Sequence, residues 1–317
     1  MIVTVTPNPS VDRTLAISRL VRGEVHRADS LRSDPAGKGV NISRALAAHG
    51  LETVAVVPTG GPVGKELGEL LQAAKIAVAA FPIGGNVRSN ISVVEPDGTV
   101  TKINEPGPTL SASEVALLLT TAVAASANAT WAVVSGSLPP GAPEDLYAQL
   151  VTALRPSGAL VAVDSSGPPL AAALPAGPDI IKPNLEELRE LTGQRIGTLG
   201  DVVEAAQKLR AGGVGAVLTS LGKDGAVLVD ANGVLYANAT VDKPLSTVGA
   251  GDATLAGFVS VGGTTADPER ALIEAVAWGA AAVALPGTVM PTPTDIDRSK
   301  VQLDRHPDLA RPLEGPA

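Results

Sequence analysis

The sequence of 317 residues contains no cysteine, and this absence excludes several classes of protein at once. Disulfide scaffolds, zinc fingers, iron–sulfur sites and thiol nucleophiles all depend on cysteine. Histidine is also scarce, because His26, His49 and His306 are the only ones in the chain. The composition therefore argues against a catalytic triad or a metal cluster built on histidine.

Aromatic residues and an excess of positive charge are lacking too. The chain has two tryptophans, two tyrosines and two phenylalanines, which are too few for a platform on which bases stack. Its 32 acidic residues outnumber its 24 basic residues, and the net charge of −8 disfavours a surface that follows phosphates. We expect no nucleic-acid partner. Hydrophobic residues make up 45% of the chain, enough for a buried core.

Membrane and export signals are also missing. The first residues, 1–6, contain no basic segment, and no long apolar stretch precedes Asp12, so no signal peptide is predicted. Residues 115–143 carry no charge and imitate a membrane span. Ser126, Asn128 and Thr130 interrupt this stretch, however, which favours a core helix followed by a buried strand. The expectation is a soluble, cytoplasmic protein without a membrane partner.

Short apolar runs alternate with helical patterns along most of the chain. Strands are predicted at residues 2–6, 54–57, 132–134, 160–163, 180–181, 216–219 and 226–229. Helices are predicted at residues 41–49, 65–74, 114–125, 144–154, 185–191, 202–211, 253–261 and 269–285. This alternation indicates an α/β fold, a doubly wound and mostly parallel sheet with helices on both faces. In such folds ligands bind beyond the carboxyl ends of the strands.

Two segments break the alternation. Residues 12–33 and 86–108 lack a helical period and mix charged residues with β-formers, so they are predicted to pair into a small β-sheet lid. The α/β core then comprises residues 1–11, 34–85 and 109–305, and residues 306–317 form a C-terminal tail that is expected to fray. Within the core, residues 230–233 predict a hairpin turn, and Ser111 with Glu114 predicts a capping box at a helix start.

The strongest local motif is Ser246-Thr247-Val248-Gly249-Ala250-Gly251-Asp252, which stands directly before a helical run. Small residues at a helix start leave backbone N–H groups uncovered, and such groups bind an anion. The carboxylate of Asp252 could accept a proton from a hydroxyl that approaches this anion. The alternative is that Asp252 is only a helix N-cap after a tight turn, which is a common use of aspartate.

Two further motifs also stand before predicted helices. Residues 35–41 place Gly37 and Gly39 where a ligand can approach the backbone, with Lys38 as a point charge and Asn41 as a donor and acceptor. A glycine turn with an asparagine cap explains the same string. No phosphate-binding P-loop and no dinucleotide fingerprint is present, which weakens the case for an oxidoreductase.

Residues 182–187 form the third motif, at the end of a predicted strand. Asn184 and Glu187 are three residues apart on one helical face, so an amide and a carboxylate could hold a hydrated Mg²⁺ through water. Acidic residues in the first turn of any helix predict the same string, which remains the simpler alternative.

Taken in this order, the motifs resemble the ribokinase-like carbohydrate kinases, in the branch that phosphorylates sugar phosphates. The resemblance extends from Thr4 to about Thr294. Besides the three motifs, it rests on the opening strand, on Ser135-Gly136-Ser137-Leu138-Pro139 and on Ser220-Leu221-Gly222-Lys223-Asp224-Gly225-Ala226. It implies a ribokinase-like fold and an enzyme that uses ATP and Mg²⁺.

The resemblance also implies roles for individual residues. The catalytic residues are Asp252 as general base and Gly249, Ala250 and Gly251 as the anion hole. The residues for the sugar phosphate are Asp12, Gly37, Lys38, Gly39, Asn41, Arg88, Asn90 and Ser137, with Arg88 and Lys38 on the phosphate already present. The ATP site comprises Lys182, Asn184, Ser220, Gly222, Gly225 and Thr247, and the magnesium pair is Asn184 with Glu187.

The activity that the resemblance implies is transfer of the γ-phosphoryl group of ATP to a ketohexose phosphate. Residues 22–25 and 36–39 are most similar to the branch that converts fructose 1-phosphate into fructose 1,6-bisphosphate. Residues 104–108 are similar to kinases of tagatose 6-phosphate, and fructose 6-phosphate is a further alternative acceptor. A non-catalytic sugar-phosphate sensor on the same fold is the alternative of another class. A homodimer formed through the lid is expected, because open strand edges invite pairing.

Overall fold

The computed structural model describes residues 1–314 and contains two β-sheets of very different size. In chain order the elements are β1 (Ile2–Val5), β2 (Ser10–Ala16), β3 (Ser30–Ala36), α1 (Lys38–Ala48), β4 (Thr53–Thr59), α2 (Gly61–Ala73), β5 (Ala77–Pro82), β6 (Arg88–Val94), β7 (Val100–Asn104), α3 (Ala112–Ala125), β8 (Trp131–Ser135), α4 (Leu146–Leu154), β9 (Leu160–Asp164), α5 (Gly167–Ala173), β10 (Ile180–Ile181), α6 (Leu185–Thr192), α7 (Leu199–Ala211), β11 (Ala216–Ser220), β12 (Ala226–Asp230), β13 (Gly233–Ala239), α8 (Ala250–Ser260), α9 (Pro268–Val283) and β14 (Val301–Asp304).

The larger sheet has ten strands in the order β14-β13-β12-β11-β10-β9-β8-β1-β4-β5. The seven strands from β11 to β5 pair in parallel, whereas β12, β13 and β14 add an antiparallel edge. The hairpin predicted at residues 230–233 joins β12 to β13, with Asp230 opposite Gly233. The prediction of a mostly parallel sheet is confirmed.

Helices cover both faces of this sheet. Alternate residues of β8 belong to different apolar clusters: Trp131 and Val133 lie in one, Ala132 and Val134 in the other. Because side chains alternate between the two faces along a strand, the clusters lie on opposite sides of the sheet. The first cluster includes α1, α8 and α9, and the second includes α2 to α7. The predicted capping box at Ser111 also forms.

The two segments predicted as a lid form a separate four-stranded sheet, in the order β3-β2-β6-β7. We call it the lid sheet. Strands β2 and β6 come from the two different segments and pair in parallel, while the outer pairs are antiparallel. Strand β3 runs directly into α1, because only Gly37 separates Ala36 from Lys38. The lid sheet is therefore joined to the first helix of the core by a single residue.

The described part of the C-terminal tail is packed against the core. The backbone of residues 309–313 exchanges hydrogen bonds with residues 197–200 at the start of α7, and the Glu314 N–H donates to Asp224. The expectation that the tail frays is wrong for residues 309–314, because these bonds hold it. Residues 315–317 of the predicted tail lie outside the described residues. No helix within residues 1–314 is long and apolar enough to cross a membrane.

Candidate active site

Four elements bring charged side chains together at the carboxyl ends of the parallel strands. Asp164 is the last residue of β9, and Lys182 directly follows β10. Lys38 is the first residue of α1, and Asp252 lies in the first turn of α8. The topology predicts a ligand site at this edge of the sheet. The structure places three of the predicted site residues there, together with one acidic residue that was not predicted.

The start of α8 forms an open cradle of backbone donors. Gly249 is the N-cap, with a φ of +80° that favours glycine. The first-turn N–H of Gly251 has no partner within the helix, whereas that of Ala250 donates to the carbonyl of Thr247 at 3.3 Å. A Cβ atom at Gly251 would lie 3.2 Å from Nζ of Lys182. A side chain at that position would fill the space that now separates a lysine from the helix end. The cradle therefore fits an anion with several oxygens.

Asp252 does not cap α8. It occupies the third position after the Gly249 cap, and no side chain in the described part of the chain caps this helix. Instead, its Oδ2 accepts a hydrogen bond from Nδ2 of Asn41 at 2.8 Å, and the residue is 7% exposed. Burial, followed by the negative charge of Asp164, raises the pKa of Asp252 to about 6, although Asn41 and two lysines act in the opposite direction. This carboxylate is ionised at neutral pH but takes up a proton readily.

Asp164 has the opposite character. It is fully buried, and its two oxygens lie 2.9 Å from Nζ of Lys38 and 3.3 Å from Nζ of Lys182. Burial acts to raise the pKa of Asp164, but the two lysines outweigh it and hold that pKa below its ordinary value. Burial likewise disfavours charge on Lys38, yet Asp164 and Glu187 raise its pKa. Asp164 therefore raises the pKa of Lys38 and holds both lysines in place at the site.

Asn184 and Glu187 form the capping box of α6. Oδ1 of Asn184 accepts from the Glu187 N–H, and Oε2 of Glu187 accepts from the Asn184 N–H, both at 2.8 Å. The other oxygen of Glu187 lies 3.8 Å from Nζ of Lys38. The alternative that these two residues only begin a helix is thus correct for their hydrogen bonds. One carboxylate oxygen of Glu187 nevertheless faces the cluster of Lys38, Asp164 and Lys182. The metal role stays a prediction, and no group of three or more acidic or histidine side chains within residues 1–314 is placed to hold a metal ion.

The other residues predicted for ATP lie along one side of this cluster. Ser220 ends β11 and forms a β-bridge with Asn184, which brings β11 beside the start of α6. Gly222 and Gly225 flank the short turn that follows. Gly225 has a packing reason as well, since a Cβ there would lie 2.2 Å from the carbonyl oxygen of Ala237. Thr247 is exposed just before the α8 cradle, where its carbonyl accepts from the Ala250 N–H.

The two glycines of the α1 motif are also explained by close packing. A Cβ at Gly39 would lie 2.4 Å from Oγ1 of Thr6, and one at Gly37 would lie 2.9 Å from Cγ2 of the same threonine. Gly37 also has a φ of +118°, which disfavours other residues. These glycines let β3 and α1 pass close to the loop that follows β1. Their predicted contact with a sugar stays a prediction.

The predicted sugar-phosphate residues of the lid sheet form a second polar cluster. Asp12 on β2 and Asn90 on β6 are paired in register, and Oδ1 of Asp12 accepts from Asn90 at 3.0 Å and from Ser10 at 2.7 Å. Arg88 donates to the carbonyls of Glu105 and Asn8, while its Nε is buried and has no hydrogen-bond partner within residues 1–314. These residues share one face of the lid sheet, because residues two apart along a strand point the same way.

Asn8 connects this cluster to the core. Its Nδ2 donates to the carbonyl of Pro106 at 3.0 Å and to Oγ of Ser137 at 3.3 Å. A cavity of about 460 Å³ lies beside Arg88, lined by residues 85, 86, 88 and 105–109. Its volume suits a small polar ligand, and Arg88 is the cationic side chain of its lining.

The sequence analysis missed four residues that shape the site, namely Asn8, Ser10, Arg44 and Asp164. Asp164 could have been predicted from the sequence, because it is a carboxylate that directly follows the apolar run 160–163. The last side chain of a parallel strand lies at the edge of the sheet where ligands bind. Asn8 and Ser10 followed the opening strand in the same way. Arg44 had no such signal, since a basic residue on a helix usually faces solvent.

Comparisons with known proteins agree with this geometry. The family model described as pfkB family carbohydrate kinase matches residues 6–295, which is most of the chain. The chain belongs to this family. The predictions of a ribokinase-like fold, of an enzyme that phosphorylates sugars and of a small-molecule sugar substrate are thereby confirmed.

Curated relatives and solved structures are similar over nearly the whole kinase. The chain is 37% identical to the 1-phosphofructokinase of Rhodobacter capsulatus, and the match covers 92% of this chain and 93% of that protein. The Haloferax volcanii 1-phosphofructokinase is also 37% identical, over 93% and 95% of the two chains. Among solved structures, phosphofructokinase-2 from Escherichia coli in complex with potassium has a TM-score of 0.88 and 33% identity, covering 93% of this chain and 96% of that one.

The two buried aspartates should respond oppositely to substitution. Asp252→Asn is expected to raise the free energy of unfolding at pH 8 by about 1–3 kcal/mol, because a buried carboxylate with a raised pKa destabilises the fold when ionised. This increase in the free energy of unfolding, relative to the wild type, reaches its full size above the pKa of about 6 that Asp252 has in the folded protein. It disappears as the pH falls to 3.8, the ordinary pKa of an aspartate. Urea unfolding at pH 8 and pH 4 measures it.

Asp164→Asn is the matched control in the same experiment. It should lower the free energy of unfolding at pH 8 by about 3 kcal/mol, because Lys38 and Lys182 lose their shared counter-charge. Ionised Asp164 stabilises the fold fully at any pH above its ordinary pKa, which applies in the unfolded chain. This stabilisation is lost as the pH falls through the lowered pKa that Asp164 has in the folded protein. Destabilisation by both substitutions at pH 8 would contradict the assigned difference between the two carboxylates.

Proposed function

We propose that this kinase transfers the γ-phosphoryl group of ATP to fructose 1-phosphate and forms fructose 1,6-bisphosphate. The observation that carries the proposal is the buried Asp252, held by Asn41 beside the open N-terminus of α8. A base and an anion cradle at one point are what phosphoryl transfer to a hydroxyl needs. The two relatives named 1-phosphofructokinase, each 37% identical over more than nine-tenths of the chain, support fructose 1-phosphate as acceptor.

Asp252 is the general base in this mechanism. Its Oδ2 is already bound by Asn41, and within residues 1–314 no group donates a hydrogen bond to Oδ1. Oδ1 is therefore the atom that orients the attacking hydroxyl of the sugar and takes its proton. A pKa of about 6 suits this task, because the group is ionised at neutral pH and still basic enough to accept the proton.

The transferring group is stabilised by fixed positive charge. Gly249, Ala250 and Gly251 form the start of α8, where the Gly251 N–H has no partner within the helix, and Lys182 lies beside Gly251. Lys38 shares the counter-ion Asp164 with Lys182 and also faces Glu187. These contacts favour Lys38 at the transferring phosphoryl group over the phosphate already on the acceptor. Preorganised donors of this kind usually supply the largest part of the rate enhancement.

The residues also fit a nucleotide with its metal ion. Mg²⁺ in kinases keeps several waters and takes its remaining ligands from phosphates and one or two carboxylates. Oε1 of Glu187, which the capping box does not use, and the amide of Asn184 nearby offer such a limited donor set. These two residues would hold the hydrated ion, which when bound neutralises the charge of the nucleotide phosphates. Ser220, Gly222, Gly225 and Thr247 would line the path of the nucleotide.

The lid sheet holds the acceptor. Asp12 and Asn90 present a carboxylate and an amide for the sugar hydroxyls, and Ser137 reaches the same region through Asn8. Arg88 has a buried Nε without a partner, next to the cavity of about 460 Å³. An arginine fork bonds two phosphate oxygens at once, so Arg88 is assigned to the phosphate of the acceptor.

One specific observation favours a second acceptor. A solved structure of phosphofructokinase-2 from Escherichia coli in complex with fructose-6-phosphate matches with a TM-score of 0.86 and 31% identity. Fructose 6-phosphate is thus an alternative to test. Tagatose 6-phosphate is another, because of the resemblance of residues 104–108 to kinases of that sugar. A non-catalytic sensor is disfavoured, because it has no use for a buried base with a raised pKa. The cytoplasmic location stays a prediction.

An assay of ATP consumption tests the activity. We expect turnover with fructose 1-phosphate, and lower kcat/KM with fructose 6-phosphate, tagatose 6-phosphate and free fructose. Asp252→Asn should lower kcat by about 10²–10⁴-fold with little change in the KM for ATP, because only the base is removed. In the wild type, kcat should fall below a pH near 6, where Asp252 becomes protonated.

Asp230→Asn is the control for this assay. Asp230 is also 7% exposed, but it caps the β12–β13 hairpin at the opposite edge of the sheet, so kcat should not change. Absence of ATP consumption with every acceptor would refute the proposed function. A clear preference for fructose 6-phosphate would refute only the choice of acceptor.

Arg88→Ala tests the acceptor site separately. We expect the KM for fructose 1-phosphate to rise about 10- to 100-fold, since a charge-assisted contact worth roughly 1.5–3 kcal/mol is lost, with the KM for ATP unchanged. Arg155→Ala is the control, because Arg155 likewise donates to backbone carbonyls but lies at the amino edge of the sheet. An unchanged KM for the sugar phosphate in Arg88→Ala would remove this arginine from the acceptor site.

The apolar face of the lid sheet supports the expected homodimer. Register places Leu31, Leu15, Ile91 and Ile103 on the face opposite Asp12. Leu31 is 59% exposed and Ile103 is 58% exposed, although both are large apolar side chains. These residues lie on the two edge strands, β3 and β7. A second copy of the chain would cover this face and the open strand edges.

Light scattering after gel filtration tests the dimer. The wild type should have twice the mass of one chain, and Ile103→Lys should have the mass of a monomer, because a charge on the buried face opposes pairing. Leu117→Lys on α3 is the control, since Leu117 is also exposed, at 43%, but lies outside the lid sheet. A monomeric wild type, or a dimer that survives Ile103→Lys and Leu31→Lys together, would contradict the proposal.

A further inference from the structure

Arg44 is a charged and largely buried residue that the proposed mechanism does not use. Its side chain is only 15% exposed, although it lies on α1. Nη1 donates to Oδ1 of Asn41 and to the carbonyl of Pro35, both at 3.3 Å, and Nη2 lies 3.8 Å from Oδ1 of Asp34. The guanidinium thus joins strand β3 of the lid sheet to the asparagine that holds Asp252.

The chemistry of the donors determines how Asn41 is oriented. A guanidinium can only donate hydrogen bonds, and an ionised carboxylate can only accept them. Asn41 lies between Arg44 and Asp252 and has one carbonyl and one NH₂ group. Its carbonyl must therefore face Arg44 and its NH₂ group must face Asp252, as the structure shows. The opposite orientation would bring two acceptors together at Asp252 and two donors together at Arg44.

We propose that Arg44 is a positioning residue that acts through Asn41 on the general base. By fixing the amide of Asn41, it keeps Oδ2 of Asp252 occupied and leaves Oδ1 free for the acceptor hydroxyl. This inference rests on the proposed function for its catalytic consequence. The chain of contacts itself, from Arg44 through Asn41 to Asp252, does not depend on which sugar is phosphorylated.

The guanidinium is anchored before any ligand arrives. Asp34 is held in turn by Arg32, whose Nε donates to its other oxygen at 2.7 Å. Both Asp34 and Pro35 belong to β3, which leads through Gly37 into α1. The planar fork of an arginine reaches Pro35, Asp34 and Asn41 together, whereas a lysine offers one point charge. Arg44→Lys therefore keeps the positive charge but loses the simultaneous contacts with Pro35, Asp34 and Asn41.

Four charged groups surround Asp252 and would be affected by different variants. Asp164 and Lys182 lie at the ends of β9 and β10, and Lys38 and Arg44 lie on α1. In Arg44→Lys all four charges remain, so a change in the proton affinity of Asp252 shows that the orientation of the Asn41 amide has changed. When that amide is free to turn, the hydrogen bond to the ionised carboxylate is weakened, and the pKa of Asp252 rises.

The experiment measures the proton affinity of Asp252 in the free protein. Aspartate labelled with ¹³C at the carboxyl gives a resonance for each residue, and the signal of Asp252 is identified by its loss in Asp252→Asn. Arg44→Lys should raise its titration midpoint by about half a unit to one unit, the equivalent of one hydrogen bond. In the kinase assay, the acid limb of kcat should move up by the same amount and kcat should fall about tenfold, with the KM for ATP unchanged.

A second pair of variants shows whether the effect passes through Asn41. In an Asn41→Ala background, Arg44→Lys should shift the midpoint of Asp252 no further, because the connecting amide is gone. If the lysine variant does not fold, Arg44→Gln takes its place. The change that Arg44→Gln causes in the titration midpoint of Asp252 is then measured with and without Asn41→Ala, and the difference between the two changes is the coupling between Arg44 and Asn41. An equal shift in both backgrounds would overturn the proposal.

Arg13→Lys is the matched control. Arg13 on β2 also joins the lid sheet to a core helix, through a bidentate pair with Glu66 of α2 at 2.7 and 3.2 Å, but it has no contact with Asn41. It should leave the midpoint of Asp252 unchanged. An unchanged midpoint in Arg44→Lys, or the same shift in Arg13→Lys, would overturn the role of Arg44. A wild type inactive on fructose 1-phosphate would refute the proposed function instead, and the titration of the free protein would still decide the role of Arg44.

Discussion

The site depends on one buried carboxylate that is shared by two lysines. Asp164 has no exposure to solvent, and it holds Lys38 from α1 and Lys182 from the end of β10 within 3.3 Å. Each ammonium group has three N–H donors and shares one carboxylate with the other, so donors remain that can bind the oxygens of a phosphate. The same contacts bring the lid-linked helix α1 to the ligand edge of the sheet.

The neighbouring Asp252 is kept in the opposite state by the same physics. Both aspartates are buried, but Asp164 has two cations against its oxygens, whereas Asp252 has the amide of Asn41. Burial and the charge of Asp164 therefore raise the pKa of Asp252, while the lysines lower that of Asp164. Two carboxylates in one site are thus separated into a structural ion and a proton acceptor. Such divergence is the pattern by which acid and base roles are assigned in active sites.

The lid sheet shows why some of the fold was readable and some was not. Its two segments were recognised by their lack of a helical period, but the parallel pairing of β2 with β6 needs residues almost 80 positions apart and leaves no local signal. Strand β5 was missed because its sequence, AVAAFP, is rich in alanine, which is depleted in strands. Helix α1 starts at Lys38, three residues before its predicted start, because Gly37 rather than Asn41 occupies the cap.

Local sequence was enough to determine most of the strands and helices of the core, the two glycine-containing helix starts and the candidates Asp252, Asn41 and Lys38, since each depends on side chains close together along the chain. It could not determine which side chains pair across the site. The ion cluster of Asp164, the hydrogen bond from Asn41 to Asp252 and the contact of Arg44 with β3 were decided by the tertiary structure. The physical reason is that burial and charge pairing, which determine the protonation of a carboxylate, exist only after distant strands and helices have packed together.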